Sequence, residues 1–322
     1  MQKRPTDADR TKDGQASPAE WLGRLRLDEP QVLAPYTLYP LLLDAPGPAP
    51  KLLLTHQAIE AGLLEVLEQG NGVVQELLAW NKGADPVVIL EGDTLVGCKQ
   101  NRVVARSVVL GGGVKLPIPV GCMEQGRWGW RTRHFSSGAM RMSPAMRSAT
   151  SAEIRTAKRR RSARVALDQS RLWANVSCSL SSESISSPSD DYHALLEAKE
   201  REARERLDAV STRPGQVGML FASEGVFLGL ELAGHPDTWK ALAPRTLPSY
   251  LIDRDWLAGK AAKPAESHAD ASLWLERLKK APLDVAPGLG LGEEVDVEDA
   301  ALGGSGLWFG GDIVHMAVFP RV

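Results

Sequence analysis

The chain of 322 residues carries 38 Lys and Arg against 40 Asp and Glu, a formal charge of −2, with 43% hydrophobic and 24% charged residues. This is an ordinary globular mix with length enough for a real core, and it excludes a globally basic nucleic-acid or anionic-membrane binder, though not a local patch. No apolar run reaches the ~18 residues of a membrane span. The first twenty residues lack the apolar stretch of a signal peptide, and three cysteines (Cys98, Cys122, Cys178) are too few for a disulfide framework, so the expectation is reduced thiols in a cytoplasm.

Residues 1–20 are polar and aperiodic and read as disordered, with the tail taken to end at residue 30. Prolines then punctuate a short extended stretch, 36–43, which reads as an edge strand because proline removes a ladder donor. One helical turn at 56–62 runs into a strand at 63–68. A β-meander follows, with strands expected at 73–80, 86–91, 94–97, 103–110 and 114–120, separated by Asn81-Lys82-Gly83, Gly92-Asp93 and the triplet Gly111-Gly112-Gly113. Val, Ile and Leu fill these strands, as a half-buried pleated surface prefers.

From about residue 147 the composition turns to Ala, Arg, Glu, Lys and Leu, and two helices are expected, 152–180 and 190–210, broken by a Ser-rich bridge closed by Pro188. The last third holds two hairpins, about Ser223-Glu224-Gly225 and Gly310-Gly311-Asp312, with helical segments at 236–257 and 266–281 between them. Residues 282–304, rich in Gly, Pro and acids, read as a long connection. The predicted fold class is α+β: an antiparallel, sandwich-like meander over 31–146, a helical segment over 147–212 and a sheet-plus-helix portion over 213–322, packed as one body.

One polar cluster stands out. Lys99, Gln100, Asn101 and Arg102 precede the strand at 103, and Glu124, Gln125 and Arg127 follow the strand ending at 120. If the glycine triplet closes a hairpin, antiparallel pairing sets Arg102 opposite Cys122 and Gln100 near Glu124. Cations and side-chain amides beside one carboxylate can hold a phosphate or carboxylate by forked hydrogen bonds, with Glu124 as acid or base. Glu91 can enter from the neighbouring turn. The competing reading is a solvated strand end with Glu124 and Arg127 as a structural pair.

The same residues carry a family resemblance. The segment Glu-Gly-Asp-Thr-Leu-Val-Gly-Cys-Lys-Gln-Asn-Arg (91–102), together with Ile-Pro-Val-Gly-Cys-Met-Glu-Gln-Gly-Arg-Trp (118–128), resembles the ADP-ribosylglycohydrolase-and-rhodanese-phosphatase-associated protein domain. The likeness extends through Asp168-Gln169, Trp173, residues 248–253 and the ending 314–319, about residue 36 onward. It implies a bacterial domain of poorly defined function with an ADP-ribose or NAD-linked role, and it marks Lys99, Gln100, Asn101, Glu124, Gln125, Arg127 and Trp128. The chain departs from the family pattern with Cys98 in place of a small alanine and Gly121 in place of a serine.

Other residues have plainer uses. Cys98 and Cys122, amid valines, read as small buried hydrophobes rather than nucleophiles. The six histidines show no metal-ligand spacing, and no cofactor is named by the sequence. His315 reads as a satisfied core histidine, Gln169 and Trp173 share a helix face, and Ser249 reads as a cap beside Tyr250 and Asp253. The basic run Lys158-Arg159-Arg160-Arg161 could touch nucleic acid, but no aromatics interleave with it, and the acidic helix at 197–208 is available to neutralise it. The leading expectation is therefore a protein that binds, and can process, an anionic nucleotide-type ligand. The alternative is a non-catalytic module presenting the polar corner to a protein partner.

Overall fold

A computed structural model describes residues 16–162, 165–224, 226–252 and 268–321. The described residues form an α+β protein of three sheets, antiparallel throughout except for one parallel pair, Leu53–Leu54 with Val87–Ile89. The expected fold class holds. Among the described residues no helix is long and apolar enough to cross a membrane.

The largest sheet has nine strands. It runs Leu25–Leu27, Tyr36–Leu43, Gln216–Ser223, Val226–Ala233, Asp312–Pro320, Leu302–Phe309, Glu293–Glu298 and Leu283–Pro287, with Gln31–Leu33 also on Tyr36–Leu43. Two expectations change here. Tyr36–Leu43 is an interior strand, not an edge. Pro40 falls in the break between the two short strands on one side, where its carbonyl accepts from Asp28 N at 2.9 Å, so its missing N–H costs little there. Residues 282–304 are not a loop but two paired strands, Leu283–Pro287 and Glu293–Glu298. The alternation in Glu294-Val-Asp-Val-Glu298 buries Val295 and Val297 and turns three acids to the other face. That period is the strand signal which the acid content hid.

The tail is also shorter than expected. Residues 18–23 form a helix, Pro18–Gly23, with Ser17 and Glu20 closing a capping box, and Trp21 is buried in the large-sheet core. Residues 1–15 lie outside the described residues, as do Gly225 of the first hairpin turn and Asp253.

The six-stranded sheet runs Phe135–Ser137, Thr94–Gly97, Arg102–Val104, Lys115–Cys122, Glu76–Asn81 and Leu64–Val73. The third sheet joins Val108–Leu110, Val87–Ile89 and Leu53–Leu54. The strand expected at 103–110 therefore divides between two sheets. Polar residues make the break: Arg106 donates to Glu294 at 2.7 Å and Ser107 Oγ accepts from Glu91 N at 2.8 Å. The glycine triplet turns the chain from one sheet to the other. Asn81 Nδ2 holds that corner by donating to the carbonyls of Asp85, Leu110 and Gly111. Arg102 nonetheless pairs with Cys122, the register expected from the sequence.

The helix expected at 152–180 is two, Pro144–Arg159 and Gln169–Ser182, the second capped by Asp168, which accepts from Ser170 N and Arg171 N. Tyr192–Leu207 follows, capped by Asp191, then Pro236–Thr246, a 3-10 turn Pro248–Leu251, and His268–Lys280. These helices cover the sheets, and their apolar faces complete four buried clusters.

Candidate functional site

The polar corner assembles where Arg102–Val104 meets the end of Lys115–Cys122. Glu124 is fully buried, and each of its oxygens accepts from two donors. Oε1 takes Arg127 Nε (2.8 Å) and Ser189 Oγ (2.9 Å). Oε2 takes Arg127 Nη2 (2.6 Å) and the Asn101 backbone N–H (3.1 Å). Burial works against ionisation of this carboxyl, but the Arg127, Asn101 and Ser189 hydrogen bonds outweigh it and hold Glu124 below the usual carboxylate range. Arg127 is equally engaged, since Nη1 also donates to the carbonyls of Cys98 (2.7 Å) and Gly129 (2.8 Å). A forked guanidinium–carboxylate pair of this kind is a rigid joint.

Gln100 Nε2 donates to the Glu124 carbonyl at 2.7 Å, and Asn101 Nδ2 donates to Asp191 at 2.8 Å. Arg102 is buried, 3.5 Å from Glu68, and donates to Gln100 Oε1 and to Cys122 Sγ. Cys122 in turn donates its S–H to Gln100 Oε1 at 2.8 Å. That geometry needs a protonated thiol. Burial pushes Cys122 up to about 11, and Cys98 is likewise pushed up to about 11, so both stay thiols at neutral pH. Their expected role as small buried side chains fits this chemistry.

Lys99 lies at the rim. Its ammonium donates to the Asn71 carbonyl and sits 5.0 Å from the Trp128 ring and 5.4 Å from the Trp130 ring. Both indoles face solvent, 49% and 57% exposed. Gln125 is exposed and joins none of these bonds among the described residues. Glu91 does not reach the corner. It is buried elsewhere, accepting from Ser305 Oγ at 2.8 Å, and burial raises its carboxyl above the usual range. The turn at Gly92-Asp93 carries it to the face between the sheets.

Two contributors escaped sequence reasoning. Ser189 and Asp191, at the start of Tyr192–Leu207, dock on the corner: Gly126 N donates to the Ser189 carbonyl and Tyr192 N to the Met123 carbonyl, both at 2.9 Å. Asp191 falls at the start of the expected helix 190–210, but nothing in its surroundings places it ninety residues back against Asn101. Gln169 brackets Cys122, accepting from its N–H (2.8 Å) and donating to its carbonyl (2.9 Å). Gly121 lets that helix approach closely, since a Cβ there would lie 2.5 Å from Leu172 Cδ2 and the leucine would have to shift.

A second ionic lattice lies deeper. Glu231 accepts from Arg147 and, at 3.1 Å, from Arg141, and meets His315 Nε2 at 2.7 Å and Tyr250 Oη at 3.3 Å. Burial, then the two guanidiniums, hold His315 well below its ordinary value, so it is neutral at pH 7. Its sequence signal was a lone acid inside the apolar run Leu228–Ala233. Gly92, at φ +85°, passes so close to the Arg147 side chain that a Cβ would collide with it.

The sequence model of the ARG and Rhodanese-Phosphatase-superfamily-associated Protein domain, ARPP-1, matches residues 24–319, nearly the whole chain. The chain belongs to that family. Comparison with curated proteins and with solved structures returns no match. The ARPP-1 match spans all three sheets, so the polar corner and the deeper lattice are parts of one family domain. Among the described residues no three His, Cys, Asp or Glu side chains group as metal ligands.

Proposed function

We propose that this ARPP-1 protein binds an anionic, nucleotide-type ligand such as ADP-ribose at the rim of the polar corner. Lys99 meets phosphate and the Trp128 and Trp130 rings stack on the base. The observation that carries this reading is one ammonium held beside two solvent-facing indoles, a combination suited to stacking plus charge. Arg127, Glu124, Asn101, Gln100 and Arg102 act beneath it as the frame that fixes the rim loop. Glu124, held ionised, has no proton to give, and with two donors on each oxygen and a depressed pKa it is a weak base, so in this reading it positions rather than transfers. The family's association with ADP-ribosylglycohydrolase and rhodanese-phosphatase proteins supports a ligand of that chemistry.

The test is calorimetric titration with ADP-ribose, NAD and ADP. Saturable binding weakened about tenfold or more by Lys99→Ala and by Trp128→Ala is the expected result. Binding indifferent to both variants, or none at all, removes the reading. The two exposed indoles also favour a second reading, a protein-partner contact, because tryptophan is enriched at interface hot spots. That reading gains if Trp128→Ala abolishes a protein complex while no nucleotide binds.

A further inference from the structure

A large cavity lies away from the polar corner. It occupies about 830 Å³ between Pro144–Arg159, Gln169–Ser182 and the end of the large sheet. Its helix wall is open because Ala145, Ala149 and Ala152 recur at helical spacing there. Five arginines line it: Arg155, Arg159, Arg160, Arg171 and Arg321. Only three carboxylates do, Glu153, Asp168 and Glu298.

The excess charge is concentrated on one wall. Two guanidiniums share the Glu298 carboxylate, Arg159 in direct contact and Arg321 at 2.9 Å, while Arg155 stands 4.0 Å from it and is drawn also to Glu91 and Asp296. Arg155 is 6% exposed, and its Nε has no hydrogen-bond partner among the described residues. Gly303 leaves room for this group, since a Cβ there would lie 2.6 Å from Arg155 Nη2. Arg160 has no side-chain partner among the described residues. A second space of about 300 Å³ continues the cavity past Ala145, Ala149 and Asn175 to Met146, Leu195 and the exposed Cys178.

We infer that this groove is a binding site for a small molecule carrying phosphate groups, with the phosphates on the Arg155–Arg159–Arg321 wall and an uncharged body in the chamber beside Cys178. The volume is that of a small-ligand site. Guanidiniums in excess of carboxylates match phosphate by forked hydrogen bonds. A nucleic acid fits less well, because the basic run is not a free track. Lys158 is held by Glu294 (2.6 Å) and Asp296 (2.9 Å), and Arg159 by Glu298. The acidic strand Glu293–Glu298, not the helix at 197–208, pairs with Lys158 and Arg159 of that run. This inference does not rest on the rim reading, and the two fail separately.

The experiment titrates the full chain with inorganic pyrophosphate and with ADP at 150 mM salt, by calorimetry. Pyrophosphate is expected to bind saturably, and Arg160→Gln and Arg321→Gln, both exposed and harmless to the core, are expected to weaken it about tenfold. ADP, but not pyrophosphate, is expected to slow alkylation of Cys178 at least fivefold. The buried thiols Cys98 and Cys122 add little background. Absence of saturable pyrophosphate binding, or pyrophosphate binding indifferent to both arginines, would overturn the site. Full-rate alkylation of Cys178 under saturating ADP would overturn the placement of the body. Salt-sensitive binding of RNA or DNA through Arg160 and Arg321, with no binding of either small molecule, would replace the inference altogether.

Discussion

The two arginine-rich regions of this protein handle charge in opposite ways. In the polar corner each buried cation has its own carboxylate, Arg127 with Glu124 and Arg102 with Glu68, and amides close the remaining bonds. In the groove Arg159 and Arg321 share one carboxylate with Arg155 4.0 Å away, and among the described residues Arg160 has no side-chain partner. Matched buried ions hold a backbone in place and leave little for a ligand to neutralise. Unmatched ones store repulsion that an incoming anion relieves. The most ion-dense motif in the sequence is therefore a frame, and the capacity for anions lies at its rim and in the groove.

The largest expected effect comes from the deep lattice, where Arg141 also has Asp93 at 3.4 Å, so that two guanidiniums meet two carboxylates. Glu231→Ala leaves Arg141 and Arg147 buried without their shared carboxylate and should cost about 3–5 kcal/mol, read as a drop in the urea midpoint or as failure to accumulate folded protein. Stability within 1 kcal/mol of the parent would show that the deep lattice is not matched in the sense described.

Glu124→Gln keeps the shape but removes the charge facing Arg127 and should cost about 2–3 kcal/mol at pH 7. The sign of its pH dependence follows from the depressed carboxyl. The unfolded chain takes up a proton near pH 4.5 while the folded chain still resists, so the Glu124 contribution is full above that value and is lost as pH falls through the folded one. Urea midpoints measured from pH 6 to pH 3 should fall less steeply in Glu124→Gln than in the parent.

His315 gives a separate window. The folded protein keeps it neutral while the unfolded chain protonates near pH 6.5, so stability declines as pH drops below that value, by up to about 1.4 kcal/mol per pH unit. His315→Gln should flatten the curve between pH 6.5 and pH 5 while leaving the acid limb of Glu124 in place. An unchanged curve would mean that the ring is already charged beside Glu231.

The smallest effect on stability should come from the unmatched region. Arg160→Gln is expected to change the folding free energy by no more than about 0.5 kcal/mol, and in low salt to raise it slightly through relieved repulsion. A loss above 1 kcal/mol would show that Arg160 has a structural partner and would remove the contrast between the two regions.

Much of this arrangement was legible in the residues. The meander, the two hairpins and the pairing of Arg102 with Cys122 follow from alternation and turn chemistry, and the likeness of residues 91–102 and 118–128 to a family is matched by the ARPP-1 assignment over 24–319. Glu91 went astray because sequence proximity to Lys99 says nothing about which way a turn departs. The strand Glu293–Glu298 reads as a connection in the sequence because its alternation is written in valines and acids, and those acids need Lys158, Arg159 and Arg321 opposite to make sense. The helix at 152–180 divided at a cluster of like charges with no glycine or proline to announce it.

Local preference determined most element types, the register of Arg102–Val104 against Lys115–Cys122 and the family, because each depends on neighbours along the chain or on a few residues of spacing. Only the tertiary structure decided which charges cancel. That outcome depends on Asp191 reaching Asn101, on Glu231 lying between Arg141 and Arg147, and on Glu298 meeting Arg159 and Arg321 from distant segments. An ion's worth is set by the distance to its partner and by the water excluded around both, and neither quantity is written in the order of residues.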